Sequence, residues 1–177
     1  MWNNPSWENL GFFAWDVAAT LIPYVPGSYV VRAGTLIAKA DDVYKTLKRL
    51  DVAERVDLIS DGKVMLPYKK MKRLTKGTDL EAHHLIEKRF ADVLGIKEGD
   101  IISVALDKNS HQKITNRMRD KIPYEMKGAD QGRFSTTKAN KEDVWRATKE
   151  TYTELGLEKY IEPVKDMFRS VGFTDFD

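Results

Sequence analysis

Leu80-Glu81-Ala82-His83-His84-Leu85-Ile86, followed after a connection by Ile101-Ile102-Ser103-Val104-Ala105-Leu106-Asp107 and then Lys108-Asn109-Ser110-His111-Gln112, is the stretch whose reading decides the fold. The branched apolar run 101–106 predicts a strand. Asp107 predicts the N-cap of a helix from about Lys108 to Lys121, which must end before Pro123 because proline restricts the residue preceding it. His83 and His84 lie on an extended segment, where neighbouring side chains point to opposite sides. They therefore do not share one role: one can ligate a metal while the other faces a substrate water. The chain has three histidines, all in this stretch. Their order, an extended histidine pair, a connection, a strand, then a helix carrying His111, is how a ββα-metal site is written.

Outward from this stretch, Leu85 to Leu94 reads as a helix with Ile86, Phe90, Val93 and Leu94 facing a core and Gly95 at its C-terminal cap. Glu98-Gly99-Asp100 reads as a turn. Upstream, the Asp61-Gly62 turn precedes a short strand around Val64–Tyr68. Lys63, Lys69, Lys70, Lys72, Arg73 and Lys76 form a basic run with no acid among them. A charge run alone is most often a solvated face, but this one immediately precedes the histidine pair, and a phosphate backbone is attracted to such a strip. Farther upstream, Ser6 caps an expected apolar helix to about Leu21, Pro23–Gly27 breaks it, and a second helix is expected from Tyr29 to Val56. Downstream, 128–138 reads as a loop, Asn140 starts a helix stopped by Gly156, and a last helix is expected around Pro163–Val171.

Composition bounds the class. With 177 residues, 42% apolar and 32% charged, and a mean hydropathy of −0.48, the chain can bury a core and is not compositionally disordered. It has no cysteine, which excludes a disulfide framework and a thiolate metal site. The start, Met1 to Asn9, carries Glu8 and lacks a basic region, so no signal peptide is expected. Leu10–Val31 is apolar but interrupted by Asp16, Pro23 and Pro26, a poor membrane span. The expected organisation is a helical connector over 1–60 and a second region over 61–177, in an α+β, mostly helical fold with a small ββα-metal core.

The chemistry that suits these residues is phosphodiester hydrolysis. It needs a nucleophile, charge stabilisation at phosphorus and help for the leaving 3′-oxygen. Neutral imidazole takes a proton from water near pH 7, and a divalent cation neutralises the phosphate and the developing alkoxide. Histidine suits zinc, nickel or manganese, and a half-hydrated site also accepts magnesium.

Leu80–Phe90, followed by Ser110-His111-Gln112 and Thr115-Asn116-Arg117-Met118-Arg119, resembles the AHH-type toxin nucleases of the HNH/endonuclease VII (His-Me finger) superfamily. The resemblance covers 77–124 and rests on spacing and order. It implies that His83 is a metal ligand, His84 the general base that activates water, and His111 the ligand from the closing helix. Where colicin-type relatives place another histidine four residues on, this chain has Thr115, and where phage endonuclease VII uses an asparagine, Asn116 is rotated about 140° from His111 on a helix. Asn109 and Asp107 are the other substitutes, and the third ligand stays open. Glu81 and Glu87 flank the histidines as supporting groups.

Gln112, Asn116 and Arg119 share a helix face and read as supporting or phosphate-facing groups. Arg89, Arg119, Lys88 and the strip Lys69, Lys70, Lys72 and Arg73 are the expected nucleic-acid contacts. The resemblance further implies a bacterial toxin module, secreted or delivered into the cytoplasm of a competing bacterium. There it would cut DNA in preference to RNA with a divalent metal ion (Mg, Mn, Zn or Ni), and an immunity protein would restrain it. The competing expectation is a non-enzymatic, basic nucleic-acid-binding module in which the histidines hold a structural metal. A structural zinc site usually closes four ligands, and three histidines without cysteine make that harder.

Overall fold

A computed structural model describes residues 33–124, 136 and 138–176. The helix expected over Ser6–Leu21 and the break at Pro23–Gly27 lie outside the described residues, as does most of the loop expected over 128–138. The fold is α+β: among the described residues, seven helices surround one small sheet. The helices are α1 (Ala33–Arg49), α2 (Val52–Ile59), α3 (Tyr68–Leu74), α4 (Ala91–Leu94), α5 (Lys108–Lys121), α6 (Lys141–Glu154) and α7 (Ile161–Ser170). The strands are β1 (Leu66–Pro67), β2 (Leu80–His84) and β3 (Ile102–Asp107), antiparallel in the order β1-β3-β2. None of the described helices is long and apolar enough to cross a membrane.

Several boundaries differ from expectation for identifiable reasons. The helix expected over Tyr29–Val56 is broken at Asp51, whose carboxylate accepts the amide of Glu54 and starts α2 as a new helix. The strand expected at Val64–Tyr68 pairs over two residues only. Tyr68 then begins α3, so the basic strip rides on a helix that buries Met71 and Leu74 beneath it. The helix expected over Leu85–Leu94 shrinks to a 3₁₀ turn at Lys88–Phe90 and the single turn of α4. Leu85 instead continues the sheet, its amide donating to the carbonyl of Ile102 at 2.9 Å. Gly95 ends α4 at φ 68°, the left-handed cap conformation that glycine adopts without cost. Asp107 caps α5 and Asn140 caps α6 through a reciprocal capping box with Asp143, both where the sequence places them.

The sheet separates two cores. Cross-strand partners share a face, so the pairs Glu81–Leu106 and His83–Val104 put those four side chains on one side. Leu80, Ala82, His84, Ser103 and Ala105 occupy the other. On the first side Val104 and Leu106 pack with Ile114 and Met118 of α5 and with Leu85, Ile86, Phe90, Trp145, Tyr152 and Phe168. On the second, Ala105 packs with Met71 and Leu74 of α3, Leu66, Ile59 and Leu47 of α1. This second core spans residue 60, so α1 and α2 pack on the sheet directly. At Gly62, φ 63°, a Cβ would lie 1.8 Å from the Tyr160 hydroxyl, so only glycine fits there.

Candidate metal and hydrolytic centre

The site is built on β2, β3 and the start of α5. Strand β2 carries Glu81 and His83 on the α5 side because side chains alternate with period two. Helix α5 follows β3 with no intervening residue, and the Asp107 carboxylate accepts the amides of Asn109 at 2.8 Å and Ser110 at 3.0 Å. That cap fixes the rotation of α5, and His111, one turn in, turns back over β2. Its Nδ1 lies 2.5 Å from Glu81 Oε2, and its ring meets that of His83 edge-on, centroids 4.8 Å apart at 69°. The backbone just past the histidine pair is pinned from the core on the same side: the Tyr152 hydroxyl donates to the Leu85 carbonyl at 2.7 Å.

His83 is 2% exposed, and its Nε2 is enclosed without a hydrogen-bond partner among the described residues. Burial, helped by the neighbouring His111 and His84, lowers its pKa to about 3, so the ring is neutral and its lone pair available. His84 occupies the opposite face. Its ring stacks on Tyr68, centroids 3.8 Å apart at 23°, and its Nε2 is 4.0 Å from Glu98 Oε1. Burial lowers His84 to about 4 against the opposing pull of Glu98. Tyr68 is held there because its amide donates to the Ile101 carbonyl at 2.9 Å.

Glu81, His83, His84, Lys88, Lys108, His111, Gln112, Thr115, Arg119 and Tyr124 line an open cleft of about 280 Å³, with Glu87 and Arg89 in its wall. The structure brings His83 and His111 together as the sequence predicts, and sets Gln112 and Arg119 on the same cleft. Gln112 also donates to Asn116 at 2.7 Å. The three substitutes considered for the third ligand are not on the cleft: Asn116 and Asn109 do not line it, and the Asp107 carboxylate is occupied as a cap. Glu81 is the carboxylate beside the two imidazoles on the cleft, hydrogen-bonded to His111 in the supporting place its sequence position suggests. The two-residue spacing to His83 on a strand is the signal that places both on one face.

The expected phosphate contacts divide. Arg119 faces the cleft. The Arg89 guanidinium is buried and engaged: Nε donates to Glu87 at 2.5 Å, one terminal nitrogen to Thr136 Oγ1 at 2.6 Å, and its plane stacks near Phe90 and Tyr124. Burial raises the Glu87 pKa, opposed chiefly by Arg89. Lys69, Lys70, Lys72 and Arg73 do not line the cleft but lie on α3, beside His84 rather than His83 and His111. Lys69 pairs with Asp100 at 2.6 Å and Lys70 with Asp41, whereas Lys72 sits 5.7 Å over the Tyr68 ring. Lys108 and Tyr124 are lining residues the sequence reading did not single out.

The donor set, two imidazoles and a carboxylate, matches what zinc, manganese or nickel accept, and the orphaned Nε2 of His83 marks a nitrogen that lacks its partner. Among the described residues no group of three such side chains is placed to hold an ion, and the Glu81 carboxylate is hydrogen-bonded to His111. No family model, curated protein or solved structure matches the chain.

Proposed function

We propose that this chain is a metal-dependent endonuclease that hydrolyses phosphodiester bonds, with DNA as its substrate in preference to RNA. One observation carries the reading: the strand–strand–helix unit sets His83 against His111 in the wall of a cleft that Lys88, Lys108 and Arg119 also line. His83 and His111 would hold the ion, and a bound divalent cation supplies charge neutralisation at the phosphate and the leaving oxygen. Lys108 and Arg119 draw the phosphate in without reading bases. His84 is the proton acceptor for the attacking water. Its Nε2 is enclosed on the Glu98 side, so this reading assigns the proton to Nδ1. The toxin role, delivery into a target bacterium and an immunity partner rest on the resemblance of the stretch around His83, His84 and His111, and belong to the same proposal.

The test is cleavage of supercoiled plasmid and of structured RNA by the purified chain, stripped with EDTA and then given magnesium, manganese, zinc or nickel. Metal-restored nicking that His111→Ala abolishes is the expected result. A chain that a metal stabilises but that cuts neither polymer is instead the non-enzymatic binding module.

A further inference from the structure

We propose that Glu81 is the positioning residue of this centre: its carboxylate accepts the Nδ1 proton of His111, locks that ring in the Nδ1–H tautomer and leaves Nε2 as the nitrogen offered to a ligand. What Nε2 then binds rests on the metal reading above. The tautomer itself is a property of the metal-free chain.

Three observations point the same way. The Glu81 Oε2 to His111 Nδ1 separation is 2.5 Å, so Nδ1 is the nitrogen already committed. Glu81 sits on a strand paired opposite Leu106, so its Cα is fixed by the sheet rather than by a loop. The other ring of the pair, His83, stands edge-on at 4.8 Å with an enclosed Nε2 that no group among the described residues satisfies. The centre therefore holds a carboxylate on one nitrogen of His111, a second imidazole against its ring and an unsatisfied nitrogen on that imidazole. This is how a protein orients a histidine ligand: a carboxylate on the far nitrogen fixes the ring and makes the near one more basic. A purely structural role is a poor account of Glu81. Its side chain is 46% exposed and that of His111 31%, and so solvated a pair adds little to folding.

The experiment reads the imidazole nitrogens by long-range proton–nitrogen NMR on the metal-free chain at alkaline pH, with His111→Ala to assign the signals. Calorimetry with zinc and manganese ions follows on the same samples. The wild type is expected to show His111 as Nδ1–H. In Glu81→Ala the ring reverts to Nε2–H and metal affinity falls about 10–100-fold, with the melting temperature unchanged. In Glu81→Gln the side-chain carbonyl still accepts from Nδ1, so the tautomer is kept and less affinity is lost. Nε2–H in the wild type, or a tautomer indifferent to Glu81→Ala, overturns the proposal. Equal affinity losses in both variants with the tautomer unchanged would also overturn it, by making Glu81 a direct ligand. A Glu81-dependent tautomer in a chain that never cuts nucleic acid would uphold this inference and remove the nuclease reading, so the two fail separately.

Discussion

The His84 ring lies nearly flat against Tyr68, 3.8 Å between centroids, and this contact, not the His83 side of the sheet, sets the plane of the proposed base. Tyr68→Ala takes away that wall. Single-turnover nicking should slow on the order of 10–100-fold, the scale of a base displaced by about an ångström. Metal affinity at His83 and His111 should hold, and Tyr68→Phe, which keeps the ring, should restore the rate. Equal rates for Tyr68→Ala and the wild type would detach Tyr68 from the chemistry.

Replacing the base itself is the stronger perturbation. His84→Ala should cost about 10²–10⁴-fold in cleavage while calorimetric metal binding stays close to that of the wild type, because His84 sits on the opposite face of β2 from His83. Activity retained within about tenfold would end the assignment.

The basic helix makes a quantitative case through salt. Lys69 and Lys70 already face Asp100 and Asp41, whereas Lys72 and Arg73 make no ion pair among the described residues. If α3 touches the nucleic-acid backbone, Lys72→Gln with Arg73→Gln should flatten the slope of log K against log salt by about two units on duplex DNA. Adding Lys69→Gln and Lys70→Gln should flatten it less per residue. Binding measured in a His84→Ala background avoids cleavage, and an unchanged slope would make this face a solvated surface.

Arg89 should behave differently from those cations. Its partner Glu87 is 11% exposed and its own side chain 8%, so Arg89→Ala leaves a buried carboxylate behind. A loss of about 3 kcal/mol in urea unfolding is expected, with the salt dependence of DNA binding untouched. The converse result would make Arg89 a phosphate contact.

Acid should destabilise the metal-free chain. His83 and His84 are held at about 3 and about 4, below the ordinary 6.5, so the unfolded chain binds protons that the folded chain refuses. Their contribution is fully present above about pH 6.5 and is lost as pH falls toward 4 and then 3. Unfolding free energy should therefore rise with pH across that window, and the slope in His84→Gln should be lower by up to about 1.4 kcal/mol per pH unit, the share of one proton. Identical slopes would mean that His84 is protonated in the fold.

How much of this was legible in the sequence varies with the kind of signal. Asp107, Asn140 and Pro123 are punctuation with a local mechanism, and the helices they bound appear where they put them. Leu85, Ile86, Phe90 and Leu94 are all buried, yet of the helix expected over them only a 3₁₀ turn and a last α-helical turn form. A short apolar run is buried as readily in an extended segment as in a helix, and the pairing of Leu85 with Ile102 decided between them. The basic strip read as charge alone hid a helix, because only Met71 and Leu74 betray its buried side. The histidine trio was legible as a set. The separation of His84 from the other two, and the place of Glu81 on the His83 face, follow from strand alternation, but the stacking of Tyr68 on His84 and the contact of Glu81 with His111 come from sheet pairing and helix placement that no spacing rule supplies.

The junction at Asp107 has a consequence for how this centre tolerates change. With β3 passing straight into α5, the joint has no slack, and the angular phase of the helix is inherited from the strand. One residue inserted between Asp107 and Lys108 would advance the helix by about 100° and 1.5 Å, carrying His111 off Glu81 and His83 together. The connection over 85–101 has no such rigid joint at its exposed turn after α4, around Gly95 and Lys97, and length added there costs mainly closure entropy. Length variation in such a chain is thus permitted on one side of β3 and forbidden on the other, and the forbidden side is a single peptide bond wide.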